Sequence, residues 1–540
     1  MLTKLKINNF KPFGEIAGVR LAPITLVFGP NSAGKSSIIQ SLLMLSQTIN
    51  GGNRESGRAK NDLITRGAFI DLGNFKSLIH RHDLSKQLTL EYEFDQLSRN
   101  TMNRSTYQEF NQAARHLIDN VSPSIFLKFG ALELSATNAI AQLVAFGFKI
   151  RGKYETETSF EFEKLGQNSV SEFEKNFSST NPKMDSSDDD INLRSDGVFK
   201  LTDSYIPAFG ETLLDGIPGY VRRELERSNP PESTESPLGK ILESLITLRA
   251  GGRGRNPWGS TILPSTIRRN EGNADDIILN IFSQILIKYD ASLRDEFSSL
   301  SYLGPLRTHP ARYYVMDGVS GNTVGAAGEF TVQQLFHDSQ VNKSKTTLID
   351  RLNHYCVEFD IPYKFDISSV NNEITGDLIV LSLTDLRTNV VVAPSDVGFG
   401  VGQLLPILIE GILIKQAGRG FRRRAARIVC VEQPEIHLHP RLQAKMADFF
   451  IDTAVHRKGE KSTGAQWILE THSEALMLRL QRRIREKKIS SQDVCVLYVE
   501  SCGGDGSTIK ELRLDEDGEF IDLWPDGFFV ESLVDVMSGL

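Results

Sequence analysis

The feature that most constrains this chain is a glycine-rich segment near its N-terminus, Gly29-Pro30-Asn31-Ser32-Ala33-Gly34-Lys35-Ser36. It matches the pattern G-x-x-x-x-G-K-[ST] at every fixed position. An apolar strand pattern precedes it, and a helical pattern follows from Ser36 to about Gln47. A strand that ends in such a turn and opens a helix offers backbone N–H groups and the positive end of a helix dipole to an anion. The segment therefore predicts a phosphate-binding loop; the simpler alternative is a glycine turn that binds nothing.

Two side chains of this loop have chemistry of their own. In such loops the lysine reaches the outer phosphates of a nucleotide, and the hydroxyl that follows it ligates Mg²⁺. Lys35 and Ser36 occupy these positions, so ATP and Mg²⁺ are the predicted cofactors. The predicted nucleotide contacts in the loop are Gly29, Pro30, Asn31, Ser32, Ala33, Gly34, Lys35, Ser36 and Ser37.

A phosphate-binding loop of this kind also needs an acidic residue at the end of a neighbouring apolar strand, where it helps to hold Mg²⁺. The apolar run that begins at Arg427 ends in Glu432, which we predict to be that metal ligand beside Ser36. The next buried-type strand is followed by His472. A lone histidine is usually structural, but this one lies at the sheet edge where chemistry is expected, and we predict that it positions the γ-phosphate.

Composition places the chain among soluble globular proteins. It has 540 residues, 40% of them hydrophobic and 24% charged, which suggests two or three packing units. No stretch approaches about 18 uninterrupted apolar residues, so no membrane association is expected. The four cysteines are widely spaced, without a zinc or disulfide pattern, and a cytoplasmic location fits best. The net charge of −7 argues against non-specific coating of nucleic acid.

Short apolar runs separated by helical or loop sequence dominate the last third of the chain. Runs at 427–432, 467–471 and 494–499 predict a mainly parallel α/β sheet, and Glu516-Asp517-Gly518 predicts a hairpin after it. We predict three regions: 1–80 and 301–540 as the two parts of one domain, and 81–300 as an inserted region with a flexible acidic segment near 167–198.

Several of these segments together resemble the SMC/RecF-like branch of the ATP-binding-cassette (ABC) ATPases. More narrowly, they resemble the OLD-related stand-alone ATPases of bacterial anti-phage defence, such as those of Septu and retron systems. The resemblance implies an α/β fold, an ABC-type P-loop ATPase head with a mixed sheet and flanking helices, interrupted by a large α+β insertion. The resembling segments are Asn9–Phe13, the phosphate-binding loop, Ser395–Pro406, Glu432–Pro440, Glu470–Ser473 and Trp524–Phe529.

In that family two nucleotides lie between two heads, and a signature segment of one head completes the phosphate site of the other. The resemblance therefore implies a dimer of this chain that forms with ATP. The signature candidate is Phe399-Gly400-Val401-Gly402-Gln403, with Gly400, Gly402 and Gln403 as predicted nucleotide contacts. Gly400 stands where the family usually has serine, so a hydroxyl contact is missing unless Ser395 supplies it. A glycine hinge before a core helix is the alternative.

The resemblance also places Gln433 where the family's water-activating glutamate normally lies. An amide cannot act as a general base. Either Glu435 does that work, or hydrolysis is slow and the ATP-bound state is the useful one; we favour slow hydrolysis. His437 and His439 suggest a metal pair, but the family has a dimer-facing loop at this position, and we prefer that interpretation.

Three clusters of basic residues are candidates for contact with nucleic acid, although solvated helix faces have the same composition. They are Arg419 to Arg427, Arg482 to Lys488, and Arg249 to Arg269 around Trp258. Arg307 and Arg312 are predicted either to act in the ATP site or to hold the inserted region against the heads.

The preferred hypothesis is an ATPase subunit of a bacterial defence complex that regulates or scaffolds a separately encoded nuclease or toxin. The main alternative is a RecF-like DNA-binding ATPase in DNA repair. A nuclease acting alone and a protein that keeps ATP only as a structural element are further alternatives. The chain after His472 is too short for the nuclease domain of OLD proteins, so nuclease activity in this chain is not expected.

Overall fold

The computed structural model describes residues 1–51, 63–97, 121–135, 138–151, 157–164, 198–204, 247–249, 274–315, 323–342, 346–372, 376–417, 427–454, 464–503 and 506–525. It divides the chain into two compact units. The first unit comprises Met1, Val19–Leu43 and Ser299–Leu540, and the second comprises Leu2–Gly18 and Met44–Ser298. The three predicted regions stay a prediction, and the predicted acidic segment up to residue 197 lies outside the described residues.

The strands are β1 (Leu2–Asn8), β2 (Ala17–Arg20), β3 (Ile24–Phe28), β4 (Leu88–Phe94), β5 (Val121–Ser135), β6 (Asn138–Arg151), β7 (Glu157–Lys164), β8 (Val198–Ser204), β9 (Thr247–Arg249), β10 (Ser301–Leu303), β11 (Tyr314–Val315), β12 (Tyr363–Asn372), β13 (Gly376–Asp385), β14 (Val391–Val392), β15 (Arg427–Glu432), β16 (Ala465–Glu470), β17 (Val494–Ser501) and β18 (Ser507–Leu512). The helices are α1 (Lys35–Gly51), α2 (Phe75–Leu78), α3 (Ala274–Phe297), α4 (Thr331–Val341), α5 (Leu348–Glu358), α6 (Phe399–Ala417), α7 (Pro440–Thr453) and α8 (Glu474–Arg485).

A six-stranded sheet forms the centre of the first unit, with the order β10-β15-β16-β3-β17-β18. Neighbours from β10 to β17 are parallel, and β18 is antiparallel to β17. Every residue of β3 and β16 is buried, as expected for central strands covered on both faces. The parallel strands predicted at 427–432, 467–471 and 494–499 are confirmed, and the sheet is mixed because of its antiparallel edge.

The predicted hairpin at Glu516-Asp517-Gly518 is present, although it is shorter than predicted. Leu514 and Phe520 form an antiparallel bridge, and backbone hydrogen bonds of 2.9 Å run from Asp515 N–H to the Glu519 carbonyl and from Ile521 N–H to the Arg513 carbonyl. The strand before the turn, β18, pairs with β17 at the edge of the sheet. Trp524 then packs edge-on to Phe28 of β3, with ring centroids 5.4 Å apart, which ties the predicted closing segment to the strand that leads into the phosphate-binding loop.

Helix α6 is apolar throughout, yet it contains a fully buried carboxylate, Glu410. The Ser301 hydroxyl donates to Glu410 at 2.6 Å, the Val324 backbone N–H donates at 3.1 Å, and the Arg427 guanidinium lies 3.4 Å away. A buried charge is tolerated only when it is paired and hydrogen-bonded. The contacts therefore explain the acidic residue inside an apolar helix, and they bind α6 to β10 and β15.

The second unit contains an eight-stranded sheet with the order β2-β1-β4-β5-β6-β7-β8-β9, antiparallel from β1 to β9. Helix α3 packs on it: the Tyr289 hydroxyl donates to the Ser122 carbonyl at 2.6 Å, and its ring lies 5.3 Å from that of Phe148. This unit is α+β, and besides most of the region predicted as the insertion it contains residues 2–18 and 44–80, which were predicted to belong to the ATPase head. Among the described residues, none of the helices combines the length and the apolar character needed to cross a lipid bilayer.

Candidate functional site

The phosphate-binding loop connects β3 to α1 and has the backbone that an anion cradle requires. Gly29, Ser32 and Gly34 all have positive φ angles, of 143°, 62° and 103°. A Cβ at Gly29 would lie 2.2 Å from the Val499 carbonyl oxygen, so only glycine fits there. Because the first amides of α1 have no partner within the helix, they are available to phosphate oxygens.

Lys35, the first residue of α1, is folded back onto its own loop. Its Nζ donates to the carbonyl oxygens of Gly29 at 3.0 Å and Pro30 at 2.9 Å, and the residue is 4% exposed. Burial lowers the pKa of Lys35, while the nearby charge of Glu470 opposes that shift. The ammonium is thus held at the mouth of the loop by carbonyl groups that a phosphate can replace.

The Ser36 hydroxyl contacts a residue that the sequence did not single out as a ligand. It donates to Glu470 at 2.7 Å. Glu470 ends β16, which lies directly beside β3, whereas Glu432 ends β15, one strand further away. Glu432 instead accepts a hydrogen bond from the Tyr302 hydroxyl of β10 at 3.0 Å.

Glu432 and Glu470 lie opposite each other in the register of β15 and β16. Burial, reinforced by the charge of Glu470, raises the pKa of Glu432 to about 7, and burial likewise raises the pKa of Glu470. The Glu470 carboxylate is buried and the Glu432 carboxylate is half-buried. Together with the Ser36 hydroxyl they are hard oxygen donors of the type that Mg²⁺ prefers. The residues present therefore fit a magnesium ion at the edge of the phosphate-binding loop.

Glu435 and Gln433 follow Glu432 in the turn after β15. The Glu435 carboxylate accepts hydrogen bonds through both oxygens, from the His472 backbone N–H at 2.7 Å and the Thr471 hydroxyl at 2.8 Å. It therefore holds the turn after β16 in place. Gln433 has a positive φ of 45°, and its backbone N–H donates to the Glu470 carbonyl at 2.8 Å, which bends the chain across the sheet edge.

His472 lies beside this cluster, in the turn that leads into α8. Burial, together with the charge of Lys35, lowers the pKa of His472. The imidazole is therefore neutral at neutral pH, where it can exchange a hydrogen bond with a phosphate oxygen. The structure thus brings together five of the predicted site residues: Lys35, Ser36, Glu432, Glu435 and His472.

The signature candidates at the start of α6 have other neighbours. The nearest atoms to a Cβ at Gly400 and at Gly402 would be the His437 carbonyl oxygen at 3.0 Å and the Pro310 ring at 2.7 Å. Gln403 lies 3.5 Å from a guanidinium nitrogen of Arg307, whose other terminal nitrogen donates to the Glu432 carbonyl at 2.9 Å. The segment therefore packs on the loop that follows β15, and Arg307 connects it to the end of that strand.

His439 caps α7, since its ring accepts a hydrogen bond from the Arg441 backbone N–H at 3.2 Å. Within the described part of the chain, no group of three or more His, Cys, Asp or Glu residues is placed to hold a metal ion. The capping role gives His439 a structural explanation.

A family model for the AAA ATPase domain (AAA_15) matches residues 1–477. The chain belongs to this ATPase family. The match spans the phosphate-binding loop, Glu432 and His472. The predicted α/β class, a P-loop ATPase domain with a mixed sheet and flanking helices, is confirmed. None of the curated proteins matches the chain.

Similar solved structures are SMC heads. One, an SmcHead bound to the C-winged helix domain of ScpA, is 10% identical, with 95% of this chain and 98% of that chain covered and a TM-score of 0.35. Another is an Smc head with an extended coiled coil bound to the C-terminal domain of ScpA, from Pyrococcus furiosus; it is 11% identical, with 100% of this chain and 98% of that chain covered and a TM-score of 0.35. The SMC head from Thermotoga maritima is 9% identical, with 95% of this chain and 99% of that chain covered and a TM-score of 0.32. At these TM-scores the likeness adds nothing to the assignment, which rests on the family match and the sheet.

Sequence reasoning missed two residues of this AAA ATPase domain site. Tyr302 and Glu470 each contact a predicted ligand. Tyr302 belongs to none of the motifs, and Glu470 belongs to the resembling segment Glu470–Ser473 but was given no role. A signal for Glu470 was present, because it is the last residue of an apolar strand, as Glu432 is. Tyr302 had no comparable signal, since its role depends on β10 lying next to β15.

The raised pKa of Glu432 predicts a pH-dependent stability. The folded state binds a proton at Glu432 more tightly than the unfolded chain does. Proton binding at Glu432 therefore makes its whole contribution to the free energy of unfolding below pH 4.5, and this contribution is lost as the pH rises through about 7. Glu432→Gln should therefore stabilise the nucleotide-free protein by roughly 3 kcal/mol at pH 8 and change little near pH 4.5. Thermal and denaturant melts across this range measure it, with Glu500→Gln, an ion-paired carboxylate of β17, as the control. A variant less stable than the parent at pH 8 would contradict the prediction.

Proposed function

We propose that this chain is an ATP-switched subunit of a bacterial anti-phage complex. Two copies close on Mg²⁺·ATP through their ATPase heads and hydrolyse it slowly. The closed state organises or restrains a separately encoded nuclease or toxin. The chain's ATPase family is established by the family match. The dimer, the slow hydrolysis and the effector are the proposed parts.

The observation that supports the ATP chemistry is the convergence of groups at one edge of the six-stranded sheet. The Lys35 ammonium lies at the mouth of the phosphate-binding loop, and Ser36 contacts Glu470, which faces Glu432. His472 completes the set as a neutral imidazole. An ammonium, a helix N-terminus and a hard-oxygen metal site together match a nucleoside triphosphate with Mg²⁺.

Slow hydrolysis is supported by the residues that follow β15. Gln433 carries an amide, which cannot take the proton of an attacking water. Glu435 is the nearest alternative in the chain, but its carboxylate is held on the Thr471–His472 turn, where both oxygens accept hydrogen bonds. The position directly after Glu432 is therefore left without a base. We therefore propose that the ATP-bound state persists and is the active signal.

The dimer and the effector are proposed from the resemblance to OLD-related ATPases, and in particular to PtuA of Septu systems. In those proteins the signature segment of one head faces the nucleotide of the other. Here the start of α6 is accessible: Gly398, just before the helix, is exposed, and a Cβ there would meet no atom within 4 Å. A partner head can approach this end of the helix.

Direct DNA binding of the RecF type is the alternative, and one observation weighs against it. The basic cluster Arg482 to Lys488 is neutralised by ion pairs, including Arg483 with Asp448 and Arg485 with Glu519. Lys488 is likewise paired with Glu486. Cations engaged in this way offer little to a phosphate backbone. The cluster at Arg419 to Arg424 and most of that around Trp258 lie outside the described residues.

ATP-linked pairing is best tested at Gly398. A glutamate side chain fits the protomer at this position, yet it puts a negative charge at the helix start that faces the partner's triphosphate. We expect Gly398→Glu to weaken Mg²⁺·ATP-dependent dimerisation at least tenfold, about 1.4 kcal/mol, by charge repulsion. Multi-angle light scattering with and without Mg²⁺·ATP measures the effect.

Gly398→Ala is the matched control, because it adds a methyl group without charge and should pair normally. Gly402, by contrast, is unsuitable: a Cβ there would lie 2.7 Å from the Pro310 ring and disturb the protomer itself. A Gly398→Glu protein that pairs with the parent's affinity would show that this face does not meet ATP. A parent that remains monomeric with Mg²⁺·ATP would remove the dimer from the proposal.

The effector role is tested by affinity purification of the tagged chain from its native host, with ATP present. A co-purifying nuclease or toxin whose activity changes with ATP supports the proposal. Tight, salt-sensitive duplex DNA binding by the chain alone, without a co-purifying effector, would favour the repair function instead.

A further inference from the structure

We propose that Glu470 is the carboxylate that positions Ser36 as a Mg²⁺ ligand; the sequence pattern singled out Glu432 instead, as a metal ligand beside Ser36. The inference rests on the proposed Mg²⁺·ATP site and names the residue that prepares it. Glu470 acts through Ser36, so it is a positioning residue for the metal.

Strand order is the first argument. Glu470 pairs in register with Val27 of β3, and Glu432 lies on the far side of Glu470. Neighbouring strands are about 4.8 Å apart, so Glu432 is roughly 10 Å from the β3 strand axis and Glu470 about half that distance. The carboxylate within reach of the loop that follows β3 is therefore Glu470.

The hydrogen bond is the second argument. Ser36 donates its single hydroxyl proton to Glu470 Oε2 at 2.7 Å. A serine hydroxyl has one proton and two lone pairs, so this bond directs the proton away and leaves the lone pairs for a cation. A group that fixes the orientation of a metal ligand in this way raises metal affinity without needing to touch the metal.

The environment of Glu470 is the third argument. The residue is only 6% exposed, and among the described residues its Oε1 receives no hydrogen bond. Glu432, in contrast, is engaged by Tyr302 on the side away from β3. A divalent cation beside Ser36 would interact with Glu470 Oε1, either directly or through one of its bound waters, and would relieve the repulsion between the two carboxylates.

The test uses Mn²⁺ as a paramagnetic substitute for Mg²⁺ in the full-length protein with ADP. Electron paramagnetic resonance measures the affinity of Mn²⁺ for the protein–ADP complex, and calorimetry measures ADP binding in EDTA. We expect Glu470→Gln to weaken Mn²⁺ binding at least tenfold, whereas Glu432→Gln weakens it less. ADP affinity in EDTA should stay within about twofold for both, because a positioning residue for the metal does not contact the nucleotide. Glu500→Gln, at the end of β17 on the other side of β3, is the control and should match the parent.

Several outcomes would overturn the inference. Parental Mn²⁺ affinity in Glu470→Gln, or a larger loss in Glu432→Gln, would return the role to Glu432. If Glu470→Gln does not fold, Glu470→Asp replaces it in the test, because the shorter side chain keeps the charge but withdraws the carboxylate from Ser36. A Mn²⁺ affinity of Glu470→Asp equal to that of the parent would also contradict the inference. A parent protein that binds no nucleotide at all would instead contradict the proposed function. The failure of the inference about Glu470 and the failure of the proposed function therefore give different results.

Discussion

Lys35→Ala is expected to reduce ATP affinity at least a hundredfold, roughly 3 kcal/mol, and to abolish ATP hydrolysis. The ammonium is the one cation that the loop itself carries, and it is held over the loop by the Gly29 and Pro30 carbonyl oxygens. When a triphosphate takes their place, a hydrogen-bonded ion pair forms in a largely buried site, where electrostatic interactions are stronger than in water. Isothermal titration calorimetry and a phosphate-release assay measure the two effects.

The fold of Lys35→Ala should survive, because removing a buried ammonium also removes its desolvation cost. Lys510→Ala, which truncates an exposed, ion-paired lysine of β18, is the matched control and should bind ATP as the parent does. If Lys35→Ala bound ATP within threefold of the parent, the assignment of the loop would be wrong. If it lost ATP while assembly and effector control stayed unchanged, ATP would have a purely structural role.

Gln433→Glu is expected to raise the rate of ATP hydrolysis by roughly a hundredfold, the lower end of what a positioned general base contributes. The substitution places a carboxylate at the position where the resemblance predicts a water-activating glutamate, directly after Glu432 and in a backbone conformation that the position already adopts. The faster enzyme should also spend less time in the ATP-bound dimer. Single-turnover hydrolysis and the lifetime of the dimer measured by light scattering test both parts.

Gln492→Glu, which makes the same change in charge at an exposed position of the same unit, controls for charge alone. An unchanged or lower rate in Gln433→Glu would mean that a missing base does not limit hydrolysis. In that event Glu435 is the residue to examine next, since it is already tied to the turn that carries His472.

Much of the fold was predictable because its signals are local. The phosphate-binding loop, the helix after it and the buried parallel strands each depend on residues within a few positions of one another, and all are present as predicted. The hairpin at Gly518 is also present, but it is short. The pairing of β18 with β17 was not predictable from local signals, because it depends on the edge that β17 offers.

The candidate site shows the same division. Spacing alone identified Lys35 and Ser36, and strand ends identified Glu432 and His472. The role of Glu470 could not be read in this way, since its partner Ser36 lies 434 positions earlier. Tyr302 and Arg307 likewise reach Glu432 across 130 and 125 positions.

The amino-acid sequence by itself determined that this chain has a phosphate-binding loop and acidic strand ends, because local backbone geometry and apolar patterning specify both. Only the tertiary structure decided which acidic residue meets the serine of that loop. Strand order in a parallel sheet follows from long-range packing, and here that packing places β16, not β15, next to β3.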